Sequence, residues 1–429
     1  MRIKPATLIT GNLRLPGDKS ISHRAALIAA LASSSSEISN FSTARDCAST
    51  ISCLQALGVS IENRNGKLLF AGNQKLMNPS APLDCGNSGS TLRMLAGVVA
   101  GHDLTATFVG DESLSSRPMR RIIEPLELMG ATIEATDGKA PITIHGTAQP
   151  VPISYKLPVA SAQVKSAILF AALNAHGRTT VIETSMTRDH TERLFNGFGV
   201  PVTTNHDLSV TLDGPARFEG GAITIPGDIS SAAYFIAAAM LLPDSKLTIE
   251  GVGLNPTRAA FLGVLSSWGA QISATGLKLD RNENFGTVDV RGGLRQTAGD
   301  DKRTLTRSMI PLLIDELPLL AVVGSQIEGG ISIRDAGELR LKESDRLAAT
   351  AQNLRAMGAD VEEFEDGLAV SGPTRLHGAV IESFGDHRIA MAFSVAALLA
   401  EGKTEINGAE CVAVSFPEFY GLLESVTVR

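Results

Sequence analysis

Cysteine is scarce in this chain: Cys47, Cys53, Cys85 and Cys411 are all there is in 429 residues. None forms a CxxC pair or joins histidines at zinc-ligand spacing, which removes a disulfide scaffold and a zinc site. Structural thiols in a reducing cytoplasm are the expectation, with no metal. The opening Met1-Arg2-Ile3-Lys4-Pro5 lacks the apolar core of a signal peptide. The apolar run Ala232 to Leu242 is too short to cross a bilayer. A basic excess is absent too: 38 Lys and Arg stand against 45 Asp and Glu, a net charge of −7. Nucleic-acid binding is therefore not expected. There is no G-x-x-x-x-G-K-[ST] loop, no dinucleotide fingerprint after a strand, and no nucleophile with a convincing partner. No cofactor is expected. The chemistry left over needs only fixed charges and carboxylates, as in joining two anionic substrates by proton transfers.

What is present is a repeat. The stretch Pro16-Gly17-Asp18-Lys19-Ser20-Ile21-Ser22-His23-Arg24 runs into the apolar Ala25 to Ala32. Such a turn followed by an alanine-rich helix occurs six times, opening at Gly17-Asp18-Lys19-Ser20, Gly86-Asn87-Ser88-Gly89, Ala160-Ser161-Ala162-Gln163, Gly227-Asp228-Ile229-Ser230, Asp315-Glu316-Leu317-Pro318 and Gly385-Asp386-His387-Arg388. In the first five copies a second helix follows and ends in Gly58, Gly130, Gly199, Gly269 or Gly358, as a left-handed C′ position favours. The period, about 70 residues, is longer than a solenoid repeat. The sixth copy stops early, at a helix over 419–426.

The first helix of each copy is apolar nearly all round, which marks it as buried. The second is amphipathic; Leu347, Ala351 and Leu354 form a stripe on the fifth. Helices inside and strands outside invert the usual α/β layering. Six copies divide naturally as three and three. The expected architecture is a two-lobed, inside-out α/β barrel of six βαβαββ repeats. One lobe covers 17–227; the other covers 228–429 with the N-terminal strand 1–16. The polar segment 295–307 falls outside the period and is expected to be a mobile loop. His387 reads either as a base or as a residue that only caps its helix, and the structural role is the one expected.

Basic residues cluster at or near the openings: Lys19, Arg24, Arg93, Arg117, Arg188, Lys342, Arg346 and Arg388. Helix starts already favour anions, and arginine binds carboxylate or phosphate in bidentate fashion. Ser20 and Arg24, four apart, share a helix face. Acids sit beside the bases, at Asp315 and in Lys342-Glu343-Ser344-Asp345-Arg346, where Lys342 and Glu343 belong to the turn before a helix. A carboxylate beside a cation suits proton transfer.

These openings, with Arg117-Pro118-Met119, Ser161-Ala162-Gln163-Val164-Lys165-Ser166 and Leu341-Lys342-Glu343-Ser344-Asp345-Arg346-Leu347, resemble the 5-enolpyruvylshikimate-3-phosphate synthase family along almost the whole chain. The resemblance implies the inside-out fold and transfer of enolpyruvyl from phosphoenolpyruvate to the 5-hydroxyl of shikimate 3-phosphate. It assigns Lys19, Ser20, Arg24, Ser161, Ala162 (backbone), Gln163, Arg188, Asp315 and Lys342 to shikimate 3-phosphate. It assigns Lys19, Gly89, Arg117, Gln163, Arg346 and Arg388 to phosphoenolpyruvate. Glu343 would move the C3 proton, Asp315 would hold and deprotonate the hydroxyl, and Lys19 would neutralise departing phosphate.

Two departures matter. Val414 precedes Ser415-Phe416-Pro417 where many relatives carry lysine. The Ser161-Ala162-Gln163 form and Arg188 resemble the glyphosate-tolerant branch, yet Gly89 stands where its most tolerant members have alanine, so inhibition by glyphosate is expected. A related enzyme acting on a UDP-amino sugar would have a cysteine in the loop Asp111 to Arg117, and none is there. A non-catalytic repeat scaffold would have no reason to place Lys19, Arg117, Lys342 and Arg388 at helix openings. A cytoplasmic monomer is expected.

Overall fold

The computed structural model describes residues 1–295 and 303–429. Six helices carry apolar residues on every face and are buried accordingly: Lys19–Leu31, Gly89–Ala100, Ala162–Ala172, Ile229–Leu241, Leu317–Gly324 and His387–Leu399. Side chains begin five of them. Asp18, Ser88, Ser161, Asp228 and Asp386 each accept a backbone N–H of the first turn. That is the usual work of an N-cap. His387 therefore does not cap its helix, because the preceding Asp386 does; His387 is the first helical residue.

The chain divides into two compact units. The first unit in chain order holds Met1–Leu15, Gly227–Lys278 and Asn284–Arg429; the second holds Pro16–Pro226 and Leu279–Glu283. Each unit has three of the buried helices and three sheets. A repeat in the second unit shows the plan. Leu83–Asp84 runs parallel to Thr105–Val109, which pairs antiparallel with Lys139–His145, itself antiparallel to Thr132–Thr136. The amphipathic helix Arg120–Leu128 lies between the two halves of that order. No sheet closes on itself among the described residues; three separate sheets take the place of a ring.

Two leading strands come from far along the chain. The sheet of the first repeat is led by Ala222–Thr224, parallel to Ser36–Ser39. The sheet of the fourth is led by Leu8–Arg14, parallel to Lys246–Gly253. The shortened sixth repeat has the sheet Val380–Glu382, Thr404–Asn407 and the N-terminal Arg2–Ile3. The helix Phe419–Val426 follows, and Thr427–Val428 pairs antiparallel with the start of Leu8–Arg14.

The expected mobile loop over 295–307 is corrected in part. Arg303–Leu305 is the leading strand of the fifth sheet, parallel to Ile331–Ile333. Its pairing uses backbone groups, which a polar side-chain pattern does not reveal. Residues 296–302 lie outside the described residues.

Packing follows composition. The second and third buried helices approach so closely that a Cβ at Gly97 would collide with the carbonyl oxygen of Ala167. Alanine and glycine permit this contact; a core of large residues would hold the backbones apart. The second helix of each complete repeat ends at a glycine with φ between 85° and 101°. Leu347, Ala351 and Leu354 are all buried, as their spacing requires.

Candidate active site

In the second unit the cations gather at helix starts. Lys19 opens the first buried helix, and its Nζ is 2.9 Å from Asp46 Oδ2. Asp46 lies in the first turn of the neighbouring helix Arg45–Ala56 and is itself buried. One turn on, Arg24 is buried with its guanidinium fully engaged. Nε donates to Thr191 Oγ1 at 2.7 Å, Nη2 to Ser166 Oγ at 2.9 Å, and Nη1 to the Ser20 carbonyl at 2.9 Å. Burial lowers this guanidinium to about 10; Glu192 opposes the shift and Arg188 adds to it. Arg188 lies just before the helix His190–Gly197.

A second group joins the next two repeats. Arg93 Nη1 donates to Gln163 Oε1 at 2.7 Å, and Gln163 Nε2 donates to Ser90 Oγ at 2.8 Å. Arg117 Nη2 reaches Asn87 Oδ1 at 3.1 Å and Ser113 Oγ at 3.2 Å. Gly89, the first helical residue, lies beneath both guanidinium groups: a Cβ there would be 2.7 Å from Arg93 Nη1 and 3.4 Å from Arg117 Nη1. Ser161 caps the third helix, and the Ala162 carbonyl accepts from Ser166 Oγ at 2.6 Å. Buried hydroxyls tie the starts together, His23 to Thr50 at 2.6 Å, Thr50 to Thr91 at 2.7 Å, and Thr91 to Ser88 at 2.8 Å.

The first unit holds an ion-pair network. Asp315 lies 3.3 Å from Arg346 Nη1, 3.6 Å from Arg388 Nη2 and 3.9 Å from Arg258 Nη1. Glu343 Oε2 accepts from Arg346 Nη2 at 2.6 Å. Asp386, fully buried, accepts from Arg346 Nε at 2.8 Å, Ser344 Oγ at 3.1 Å and the Arg388 N–H at 2.8 Å. Glu316 accepts from Ser230 Oγ and lies 3.9 Å from both Arg258 and Arg388. Burial opposes charge on Arg346, but Asp386, Glu343 and Asp315 outweigh it and hold the guanidinium more firmly protonated than usual. Arg388 behaves likewise, with Asp315 the foremost of the groups that overcome its burial.

Lys342 is different. It sits between the turn Gly337–Leu341 and the helix Arg346–Ala356, partly buried, and forms no ion pair among the described residues. Burial lowers its pKa, Asp315 opposes this, and Arg346 adds to it.

The residues that the resemblance assigns to substrates and chemistry fall into two sets, one in each unit. Lys19, Ser20, Arg24, Gly89, Arg117, Ser161, Ala162, Gln163 and Arg188 are in one unit; Asp315, Lys342, Glu343, Arg346 and Arg388 are in the other. The sequence did not single out the residues that hold them. Asp46 pairs with Lys19 from the second helix of the same repeat, while Asp386, Glu316 and Arg258 pair across repeats. The only signal was their place in or near a helix start, since long-range pairing leaves no local pattern.

A family model for EPSP synthase (3-phosphoshikimate 1-carboxyvinyltransferase) matches residues 3–423. The 3-phosphoshikimate 1-carboxyvinyltransferase of Koribacter versatilis is 49% identical, over 100% of this chain and 99% of that protein. The one of Solibacter usitatus is 46% identical over 99% of each. A solved EPSP synthase structure from Acinetobacter baumannii superposes with a TM-score of 0.88 at 38% identity, covering 100% of this chain and 98% of the other.

Proposed function

The chain belongs to the EPSP synthase family, and from that premise we infer how its side chains divide the work. The protein is a transferase that moves the enolpyruvyl group of phosphoenolpyruvate to the 5-hydroxyl of shikimate 3-phosphate, releasing phosphate in the shikimate pathway. In addition, the hydroxyl oxygen bonds to C2, its proton leaves, and a proton is delivered to C3. In elimination a C3 proton departs, the C2–O bond to phosphate breaks, and the double bond returns.

Shikimate 3-phosphate is assigned Lys19, Ser20, Arg24, Ser161, Gln163, Arg188, Asp315 and Lys342, with the Ala162 backbone. Phosphoenolpyruvate is assigned Lys19, Gly89, Arg117, Gln163, Arg346 and Arg388. Glu343 exchanges the C3 proton, Asp315 orients and deprotonates the hydroxyl, and Lys19 meets the departing phosphate. The observation that carries this division is the grouping of side chains around Arg93, Gln163 and Arg117 in one unit and around Asp315 in the other. Phosphate carries about −1.5 to −2 charge near neutrality, which calls for several cations. Asp46 orients Lys19, and Arg93 joins the set because it holds Gln163.

Phosphate release tests the function. It should require phosphoenolpyruvate with shikimate 3-phosphate and fail with UDP-N-acetylglucosamine. Release with the UDP-sugar, or with neither, overturns the reading. The protein is further proposed to act as a cytoplasmic monomer. Its four cysteines are not disulfide-bonded, as suits a reducing compartment. Sedimentation at the mass of one chain checks the oligomeric part.

Lys342→Met should separate binding from stability. The folded state lowers the ammonium pKa, so without ligand the unfolded chain binds the proton more tightly. Stability then rises with pH between the lowered value and the ordinary one near 10.4. Below that window the charged lysine costs the folded state stability, so Lys342→Met should melt higher at neutral pH. The gap should close as pH nears 10.4. Its KM for shikimate 3-phosphate should rise roughly 10- to 150-fold, the worth of a hydrogen bond from a charged group. Calorimetry across pH and steady-state kinetics read the two effects.

Glyphosate is proposed as an inhibitor because Gly89 leaves the ground beneath Arg93 and Arg117 clear. A methyl group there would crowd Arg93 first. Gly89→Ala should raise the inhibition constant roughly tenfold or more, the scale of modest overpacking. An unchanged constant would remove the steric argument.

A further inference from the structure

Three consecutive residues at the start of the helix His190–Gly197 grip three different elements. His190 Nδ1 is 2.7 Å from Glu283 Oε1. Thr191 bonds both Arg24 and Ser166. Glu192 Oε1 is 2.6 Å from the Nζ of Lys165. Lys165 belongs to the third buried helix, is 1% exposed, and also donates to Glu183 Oε2 at 2.9 Å. Burial works against its charge, but Glu192 and Glu183 outweigh it, so the ammonium form is held.

Glu183 and Glu192 bracket the connection that carries Arg188. Glu183 directly follows the strand Gly177–Ile182. Its second oxygen accepts from the hydroxyl of Thr187, the residue before Arg188. One cation thus clamps both ends of the connection, and Thr187 ties its middle to the same carboxylate. The adjacent helix positions do the same for Arg24: Ser166 follows Lys165, Thr191 precedes Glu192, and the two bond each other at 2.7 Å while holding that guanidinium.

We infer that Lys165, through Glu183 and Glu192, is the positioning residue that aims Arg188 at the phosphate of shikimate 3-phosphate. This rests on the assignment of Arg188 made above. A buried ion pair is weak evidence for stability, because well-packed apolar side chains often hold a core as well. Apolar packing does not fix the direction of a connecting segment, whereas a charged hydrogen bond to Glu183 at one end and a close ion pair with Glu192 at the other do. The buried lysine is therefore explained by what it orients. Arg24 and Arg188 are near enough to repel, so the direction of the connection bears on where Arg188 is held.

The test is a cycle of four enzymes: the natural protein, Arg188→Ala, the neutral triple variant Lys165→Met, Glu183→Gln, Glu192→Gln, and the combination. The triple change removes the charges together and leaves none unpaired. It should raise KM for shikimate 3-phosphate roughly ten- to a hundredfold, with kcat and KM for phosphoenolpyruvate changed by less than about threefold. In the Arg188→Ala background it should add nothing. An equal rise in both backgrounds, or no rise, overturns the inference. Should Arg188→Ala alone leave that KM unaltered, the assignment of Arg188 falls, and the inference with it. If the triple variant does not fold, Thr187→Val decides. It should raise the same KM severalfold and Thr187→Ser should restore it; an unchanged KM in Thr187→Val overturns the clamp.

Discussion

Replacing Glu343 by Gln lowers kcat roughly 10²- to 10⁴-fold, the range that general acid–base catalysis supplies. The amide keeps the shape of the side chain and still accepts from Arg346, so KM for either substrate should change little. What it loses is the ability to exchange a proton with C3. A direct reading is available: with substrate analogues that stall at the tetrahedral stage, wash-in of solvent deuterium at C3 should disappear with the activity. A variant that turns over and washes in deuterium at the natural rate would take Glu343 out of the chemistry and leave it as a partner of Arg346.

The second large effect concerns stability. Asp386 accepts from Arg346, Ser344 and the Arg388 backbone while fully buried. Asp386→Ala leaves the Arg346 guanidinium inside the protein with less compensation and strips the sixth helix of its cap. Breaking a buried pair costs about 3–5 kcal/mol and loss of a cap about 1 kcal/mol more. At about 2–4 °C per kcal/mol for a unit of this size, Tm should fall by about ten degrees or more. Asp386→Asn keeps an acceptor for the cap and should fall by less. Calorimetry of the three proteins checks the order. Equal melting temperatures would mean that the network contributes little to stability, as exposed pairs do.

The repeat was legible because each copy carries local marks. An acid or serine before an apolar run announces a helix, and glycine announces the end of the next; Asp18, Ser88 and Gly58 needed no distant information. The charged motif residues were legible for the same reason. Their partners were not. Nothing within a few residues of Asp46 says that it will face Lys19, and Lys165 reads as one more residue of a helix. The strand Arg303–Leu305 and the segment Leu279–Glu283 were missed on similar grounds. Arg281 donates to the Gly197 carbonyl at 2.8 Å and covers the Phe198 ring, contacts set by the fold and not by the sequence around them. His387 was misjudged because acid and imidazole were adjacent, and only geometry decides which one turns back onto the helix.

The exchange of leading strands has a consequence for the ribosome. Leu8–Arg14 cannot join its sheet until Lys246–Gly253 has been made, and the bond from the Ile9 N–H to Ser245 Oγ spans 236 residues. At about 5–20 residues per second, the emerging chain carries that segment unpaired for about ten to fifty seconds. Meanwhile Pro16–Pro226 includes the three sheets of its own unit, with Ala222–Thr224 arriving last. The stretch translated first is thus among the last to find its place. An uncovered edge of this kind invites chaperones or neighbouring chains, and ribosome profiling of chaperone occupancy should show contact persisting until residue 253 has cleared the exit tunnel.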